Sequence, residues 1–316
     1  MDREIKHTLY HFLLLPLVAI APPGIRRILI RGIIFRFNLK FDYVPKKAIV
    51  LENMRKAYPD DPELERKAEE NLIYSILQDS AVYKFRFPVL CGRRQRIRME
   101  GRGILERALL ENKGVLLMTG HTGAFVSSVW GHGFHGIRAS LLTNDAPASA
   151  EFSKAYRLFA RLVIGTIEKS CRKKVVTFPL GGEKTKAAGA ARRIKSLLLA
   201  NEPVISALDI PPNLTSSREK VWFLDRECLM PSGIVRIARK TGAPVVIYDA
   251  TWDRLYSHDC TIKFIEAFPL DSSLEDDLQN CSRAVEAIIR RNPSQWAHWE
   301  AFQLFIINNR NGEATP

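Results

Sequence analysis

A single histidine set between two glycines, His121, ends an apolar run in the stretch Gly114-Val-Leu-Leu-Met-Thr-Gly-His-Thr-Gly-Ala-Phe-Val126. The run predicts a buried strand, and the glycine-flanked turn after it precedes a predicted helix. Chemistry in α/β proteins is usually placed at the carboxyl ends of strands, and an imidazole can take up a proton near neutral pH. His121 is therefore the first candidate general base. The alternative is a structural histidine bonded to a backbone carbonyl.

Composition limits the kind of protein that carries this histidine. The chain has 316 residues, 46% of them hydrophobic, which is enough for one domain with an amino-terminal appendage. Its formal net charge of +13 indicates an anionic partner, such as nucleic acid, an anionic membrane or an acidic ligand. Because no helix-turn-helix, zinc-finger or RRM-like pattern accompanies the charge, we do not expect nucleic-acid binding.

Other kinds of catalytic or metal site lack their sequence patterns. The five cysteines include no C-x-x-C pair, which indicates a reducing compartment and argues against structural zinc. No P-loop, dinucleotide-binding or G-x-S-x-G pattern is present in the sequence. Four further histidines show no metal-ligand spacing, and we expect them at the surface or in the core: His132, His135, His258 and His298.

The amino terminus contains two short apolar stretches, within Leu9–Ala21 and at Ile28–Phe35, separated by Arg26 and Arg27. Each is shorter than the roughly 20 residues of a spanning helix. The pattern favours a helical hairpin lying in a membrane interface. Buried core helices are one alternative. A cleaved signal peptide is the other, although Asp2 and Glu4 cancel the positive charge that such a peptide needs.

From about residue 100 onward, short apolar runs alternate with helical patterns. This alternation predicts an α/β fold with a mixed, largely parallel central sheet flanked by helices. The predicted strands are 115–118, 175–178, 204–208, 221–224, 245–250 and 261–264, and the predicted helices are 48–57, 61–87, 104–110, 152–163, 185–199, 232–240, 274–290 and 295–307. We divide the chain into a membrane-associating segment (1–45), one α/β domain (46–310) and a disordered tail (311–316).

Several segments, in order along residues 48 to 302, resemble the late acyltransferases of lipid A biosynthesis, part of the lysophospholipid and glycerolipid acyltransferase family. These segments are the His121 loop, Asn53-Met-Arg-Lys-Ala-Tyr-Pro59, Asn201-Glu-Pro-Val-Ile-Ser-Ala-Leu-Asp209, the stretch from Val221 through Pro231 to Val245, and Asn292-Pro-Ser-Gln-Trp296. Ordered co-occurrence is more specific than any one motif.

The resemblance implies a function and partners. It implies transfer of a fatty acyl group from an acyl carrier protein or coenzyme A thioester to a hydroxyl or amine of a lipid or lipid-like acceptor, with His121 as general base. It implies no metal and no cofactor beyond the acyl donor. The expected location is the cytoplasmic face of a bacterial inner membrane. Candidate substrate contacts are Thr122, Gly123, Arg192 and Arg193. The arginines would bind lipid headgroups or an acidic carrier, or alternatively form a solvated face.

The family places an acidic residue five positions after its histidine, where this chain has Val126. Valine cannot orient an imidazole or stabilise its positive form. Another acid can supply this role, with Asp209 as the leading candidate and Asp145 as the second. Alternatively, His121 works without an acid on an easier reaction. The last alternative is a non-catalytic family member that binds acyl chains or a synthase partner.

Overall fold

Nine strands and eleven α-helices form the described part of the chain, which is residues 2–40, 42–87, 96–144, 152–178, 184–215 and 217–307 of a computed structural model. The helices are α1 (Arg3–Leu9), α2 (Leu15–Ile20), α3 (Pro23–Ile28), α4 (Tyr43–Ala57), α5 (Leu64–Arg86), α6 (Arg102–Leu109), α7 (Phe125–Phe134), α8 (Lys154–Cys171), α9 (Lys184–Leu199), α10 (Gly233–Thr241) and α11 (Leu274–Arg291). The strands are β1 (Ile97–Glu100), β2 (Val115–Thr119), β3 (Ser140–Asn144), β4 (Val176–Phe178), β5 (Pro203–Ala207), β6 (Arg218–Phe223), β7 (Arg226–Pro231), β8 (Val245–Trp252) and β9 (Cys260–Phe268).

Seven strands form the central sheet, in the order β1-β9-β8-β2-β5-β3-β4. Every neighbouring pair is parallel except β8 and β9. Strands β2 and β5 lie in the middle and are buried at every position, as expected where helices cover both faces. The predicted α/β fold with a largely parallel sheet flanked by helices is confirmed.

Helices α7 and α11 cover opposite faces of this sheet. On β8, the Tyr248 ring contacts His132 of α7, while the carboxylate of the next residue, Asp249, lies 3.8 Å from Arg291 of α11. Successive side chains of a strand point to opposite faces, so the two helices must lie on different sides.

Three strands were not predicted from the sequence: β1 and β3, which are short and carry polar residues, and β7, which begins with the charged residues Arg226 and Glu227. The predicted strand at 221–224 exists as part of β6, but it pairs with β7 in a separate hairpin. Its two turn residues, Leu224 and Asp225, have φ of 50° and 59°. Two consecutive positive φ angles are typical of the two-residue turns that connect hairpin strands, because the twist of these turns matches the twist of the strands.

The predicted closing helix at 295–307 is wrong. The structure has two 3₁₀ segments instead, Pro293–Gln295 and Trp299–Leu304, with Trp296 extended between them. Trp296 is extended because it pairs with Thr122 in an isolated β-bridge. Burial of its ring and of Trp299 and Phe302 therefore outweighs the helical pattern of this segment.

The amino-terminal helices pack one side against the rest of the protein. Helix α1 continues through a π-helical segment, Tyr10–Leu14, into α2, which packs on α5. The buried Arg26 guanidinium donates to carbonyl oxygens at the end of α2 and to that of Tyr256, far along the chain. The other side of these helices remains exposed. Within the described residues, no helix combines the length and apolar character needed to cross a bilayer.

Candidate functional site

His121 and Asp209 meet because they follow neighbouring parallel strands. Strand β2 ends at Thr119 and β5 ends at Ala207, and these two residues are partners in the register. Since parallel strands present their carboxyl ends at the same edge, the loops that follow leave the sheet side by side. The Leu208 N–H also donates to the Thr119 carbonyl at 2.9 Å, which extends the pairing to the residue before Asp209.

Asp209 orients the imidazole of His121. The distance from His121 Nδ1 to Asp209 Oδ1 is 2.8 Å, and the backbone N–H of His121 donates to both carboxylate oxygens at 3.0 and 2.8 Å. The indole N–H of Trp296 donates to Oδ2 at 2.6 Å. Asp209 is fully buried, whereas 27% of the His121 side chain is exposed. The acid that the sequence favoured for this role therefore lies where it can position the ring.

The hydrogen bonds determine which ring nitrogen of His121 carries the proton. Burial acts to raise the pKa of Asp209, but the positive charge that His121 carries when protonated, with the hydrogen bonds from His121 and the Trp296 indole, outweighs burial and holds that pKa well below its usual range. An ionised carboxylate only accepts hydrogen bonds, so the proton must lie on Nδ1. The lone pair of the neutral ring is then on Nε2. A histidine in this tautomer can act as a general base.

The segment around Trp296 holds the histidine loop in place. The Gly123 N–H donates to the Gln295 carbonyl at 2.7 Å, and the Ala297 N–H donates to the His121 carbonyl at 2.9 Å. Gly123 has φ of +49°, and a Cβ there would collide with the carbonyl oxygen of Ala250. Only glycine fits at this position. Gln295 and Trp296 belong to a segment that resembles the acyltransferase family, but no role was predicted for Trp296 from the sequence.

A second histidine, His298, lies against His121. Their ring centroids are 4.5 Å apart in an edge-to-face arrangement. Burial lowers the pKa of His298 to about 4, so its ring is neutral at physiological pH. Its Nε2 atom is buried and has no hydrogen-bond partner in the described part of the protein. His121, Asp209 and His298 each offer one ligand atom, and these atoms lie within 4.8 Å of one another.

His298 was predicted to lie at the surface or in the core. The sequence feature that could have identified His298 is its position two residues after Trp296, in the segment that is hydrogen-bonded to the His121 loop.

An apolar cavity of about 180 Å³ is lined by the two residues that flank Asp209 in the chain, although neither Asp209 nor His121 lines it. Leu208 and Ile210, the residues on either side of Asp209, both line it. Helices α9 and α10 form walls of the cavity. Besides Leu208 and Ile210, the apolar side chains that line it include Leu142, Phe178, Ala190, Ile194, Ile234 and Ile237. No sequence signal pointed to this cavity, because its lining comes from separate helices, strands and loops.

The other predicted site residues have different surroundings. Thr122 is buried, and its Oγ1 has no hydrogen-bond partner in the described residues. Val126 is the second residue of α7 and packs against the core. Arg192 and Arg193 are exposed on α9 and do not line the cavity. Asp145, the second candidate acid, lies outside the described residues, as does the predicted tail at 311–316.

Comparison with known proteins gives no assignment. No protein-family model matches the chain, and no curated protein matches it at a significant level.

Proposed function

We propose that this protein is an acyltransferase that moves a fatty acyl group from an acyl carrier protein or coenzyme A thioester to a hydroxyl or amine of a lipid-like acceptor. The observation that carries the proposal is the His121–Asp209 pair, in which Nε2 of the partly exposed ring has no hydrogen-bond partner among the described residues, together with the apolar cavity lined by the two residues that flank Asp209. This pair supplies the base that acyl transfer needs, and the cavity suits a hydrocarbon chain.

In the proposed reaction, His121 Nε2 takes the proton of the acceptor hydroxyl while that oxygen attacks the thioester carbonyl carbon. The imidazolium that forms is stabilised through its Nδ1–H bond to Asp209. The tetrahedral intermediate then breaks its carbon–sulfur bond, and the imidazolium returns its proton to the departing thiolate. The products are the acylated acceptor and the free carrier thiol, with His121 neutral again.

The missing acid at Val126 does not argue against this chemistry. Asp209 arrives from β5 and contacts the Nδ1 of His121 directly, which is the contact that an orienting acid must make. A carboxylate on the first turn of α7 is therefore unnecessary. This favours a working site over the non-catalytic alternative.

The cavity supports an apolar substrate on energetic grounds. Transfer of each methylene group from water to an apolar site contributes about 0.8 kcal/mol. The cavity is partly open, so a hydrocarbon chain that fills it can extend beyond it. Such binding would place the thioester end of the chain near the residues that flank Asp209.

The exposed side of the amino-terminal helices supports a membrane location, which we propose to be the cytoplasmic face of a bacterial inner membrane. Large apolar side chains are exposed on this side, and their exposed fractions reach 65% at Ile28: Ile5, Phe12, Leu13, Leu17, Ile20, Ile25, Ile28 and Phe37. Exposed Arg27 in α3 and exposed Arg36, which directly follows the π-helical segment Leu29–Phe35, suit anionic headgroups.

Vesicle flotation tests the membrane proposal. The double variant Leu13→Glu, Leu17→Glu should lose binding to anionic vesicles, while Leu110→Glu, which changes a residue 78% exposed on another surface, should not. Equal binding of all three proteins would overturn this location.

Mass-spectrometric detection of acylated product tests the enzymatic proposal. Purified protein is incubated with acyl carrier protein or coenzyme A thioesters and pooled lysolipid, glycolipid and amine acceptors. We expect an acceptor whose mass increases by that of the acyl group. Folded protein that yields no product from any donor, yet binds carrier or lipid, would favour the non-catalytic alternative.

A further inference from the structure

His298 has a buried ring nitrogen that the proposed reaction does not use. Its Nε2 is shielded from solvent without a hydrogen-bond partner in the described residues, and its ring lies edge-on against His121. More than nine in ten buried polar groups in proteins have a partner. An unpartnered nitrogen beside a histidine and a carboxylate therefore points to a ligand that binds between them.

The three side chains form a donor set suited to a transition metal. Two imidazoles and one carboxylate are the ligands of many three-residue zinc sites. Their ligand atoms lie within 4.8 Å of one another. Ligands about 2.0–2.2 Å from a tetrahedral zinc ion are roughly 3.3–3.6 Å apart, so small side-chain rotations would complete the site.

The charges and hydrogen bonds around these residues also suit a divalent cation. Asp209 accepts hydrogen bonds from the backbone N–H of His121 and the indole N–H of Trp296, which suits a carboxylate ligand, and Nε2 of His298 has no hydrogen-bond partner in the described residues. The Trp296 N–H fixes the carboxylate from behind, as partners outside the coordination sphere do in metal sites. Two nitrogen ligands favour Zn²⁺ over Mg²⁺ and Ca²⁺, which prefer oxygen.

We propose that His121, Asp209 and His298 bind Zn²⁺, or a similar transition-metal ion, and that this ion switches the His121 base off. The ion takes the place of the Nδ1 proton between His121 and Asp209. The displaced proton then belongs on Nε2, the other nitrogen of the neutral ring, so the lone pair that would accept the acceptor proton is lost. Metal binding and general-base action therefore exclude each other. The inhibition rests on the proposed function, whereas the binding of the ion does not.

Zn²⁺ titration calorimetry on the full chain tests the binding, with His298→Phe as the main variant. Phenylalanine keeps an aromatic ring against His121 and Trp296 but removes both nitrogens. We expect one tight site in the wild type and an affinity weaker by at least about tenfold in His298→Phe. His135→Ala, which removes a histidine bonded to the Ile97 carbonyl, is the matched control and should bind as the wild type does. Mg²⁺ should give no binding.

Equal Zn²⁺ affinity in the wild type and His298→Phe would overturn the proposal, as would the absence of a tight site in the wild type. Circular dichroism checks the fold of the variant, and His298→Gln serves in its place if the phenylalanine variant does not fold. Co²⁺ substitution gives a second readout, because a thiolate charge-transfer band would assign the site to cysteine and contradict the proposal.

An activity measurement then separates binding from inhibition. If acyl transfer is found, Zn²⁺ should stop it and a chelator should restore it. Transfer that continues with the site filled would overturn the switch. If the protein transfers no acyl group, the calorimetry still decides whether the metal site exists.

Discussion

Replacing Asp209 with asparagine is the perturbation that most sharply separates a catalytic pair from a structural hydrogen bond. Asparagine keeps the size of the side chain but replaces one acceptor oxygen with an NH₂ donor. Three donors point at this position: the backbone N–H and Nδ1 of His121, and the indole N–H of Trp296. An amide cannot accept from all of them in the same geometry.

The expected effect on the transfer rate follows from the tautomer of His121. An NH₂ group facing Nδ1 favours the form with its proton on Nε2, which cannot act as a base. The same replacement in the comparable triad of serine proteases lowers kcat by about four powers of ten, and we expect Asp209→Asn to lower transfer by about three to four. An unpaired buried N–H group should also cost about 1–3 kcal/mol in the free energy of unfolding.

The assay is the rate of product formation by mass spectrometry, with urea unfolding measured on the same samples. The control is Asp249→Asn, which changes another buried carboxylate whose pKa is raised by burial to about 6. This control should keep most of the transfer activity. The reasoning is refuted if folded Asp209→Asn transfers acyl groups within about tenfold of the wild type, a difference of only about 1.4 kcal/mol in activation free energy.

Three further predictions concern the surroundings of this pair and the buried histidines. Trp296→Phe removes a hydrogen bond to a charged group, which is worth about 1.5–3 kcal/mol, so transfer should fall about tenfold to hundredfold. Trp299→Phe loses only a hydrogen bond to a backbone carbonyl, so its transfer rate should fall less. Equal losses of transfer in the two variants would argue against a positioning role for Trp296. Val126→Glu should not increase transfer, because Asp209 already accepts the hydrogen bond from Nδ1 of His121. A clear gain in transfer would mean that Asp209 orients the His121 ring poorly. Burial lowers the folded-state pKa of three other histidines below 6.5, so the unfolded chain binds more protons as pH falls and stability decreases. The loss grows as pH falls from about 6.5 to about 4, and at pH 5 we expect it to reach about 2 kcal/mol for each of the two histidines whose pKa falls to about 4. These histidines are His11 and His132, whose pKa falls to about 4, and His258, whose pKa falls well below its usual range. Urea unfolding at pH 7 and pH 5 checks this prediction, and an unchanged midpoint would contradict it.

The sequence predicted the fold through its apolar runs. Strand β2 is apolar from Val115 to Met118, β5 has one polar residue, and β8 begins with four consecutive apolar or aromatic residues, a pattern that reflects burial on both faces. Strands β1 and β3 are short and partly polar, so their pairing depends on neighbours that the local sequence does not reveal. The closing segment was predicted as a helix because its extended conformation depends on the bridge between Trp296 and Thr122.

The site was predictable only in part. His121 and Asp209 were both candidates because each follows a buried strand, and adjacent strand ends explain their meeting. Their contact depends on the sheet order, which places β5 beside β2 although β3 and β4 come between them in sequence. Trp296 and His298 come from a segment near the carboxyl end, so their approach to His121 is a property of the folded chain alone.

The measurement that tests the central claim most directly compares acyl transfer by the wild type and His121→Ala, using the same thioester donor and acceptor. The account predicts that the wild type yields acylated product, and that His121→Ala, which lacks the Nε2 base while keeping the backbone N–H bonded to Asp209, yields none above background. Full transfer by a folded His121→Ala protein would contradict the account, because the base would then have to be another group.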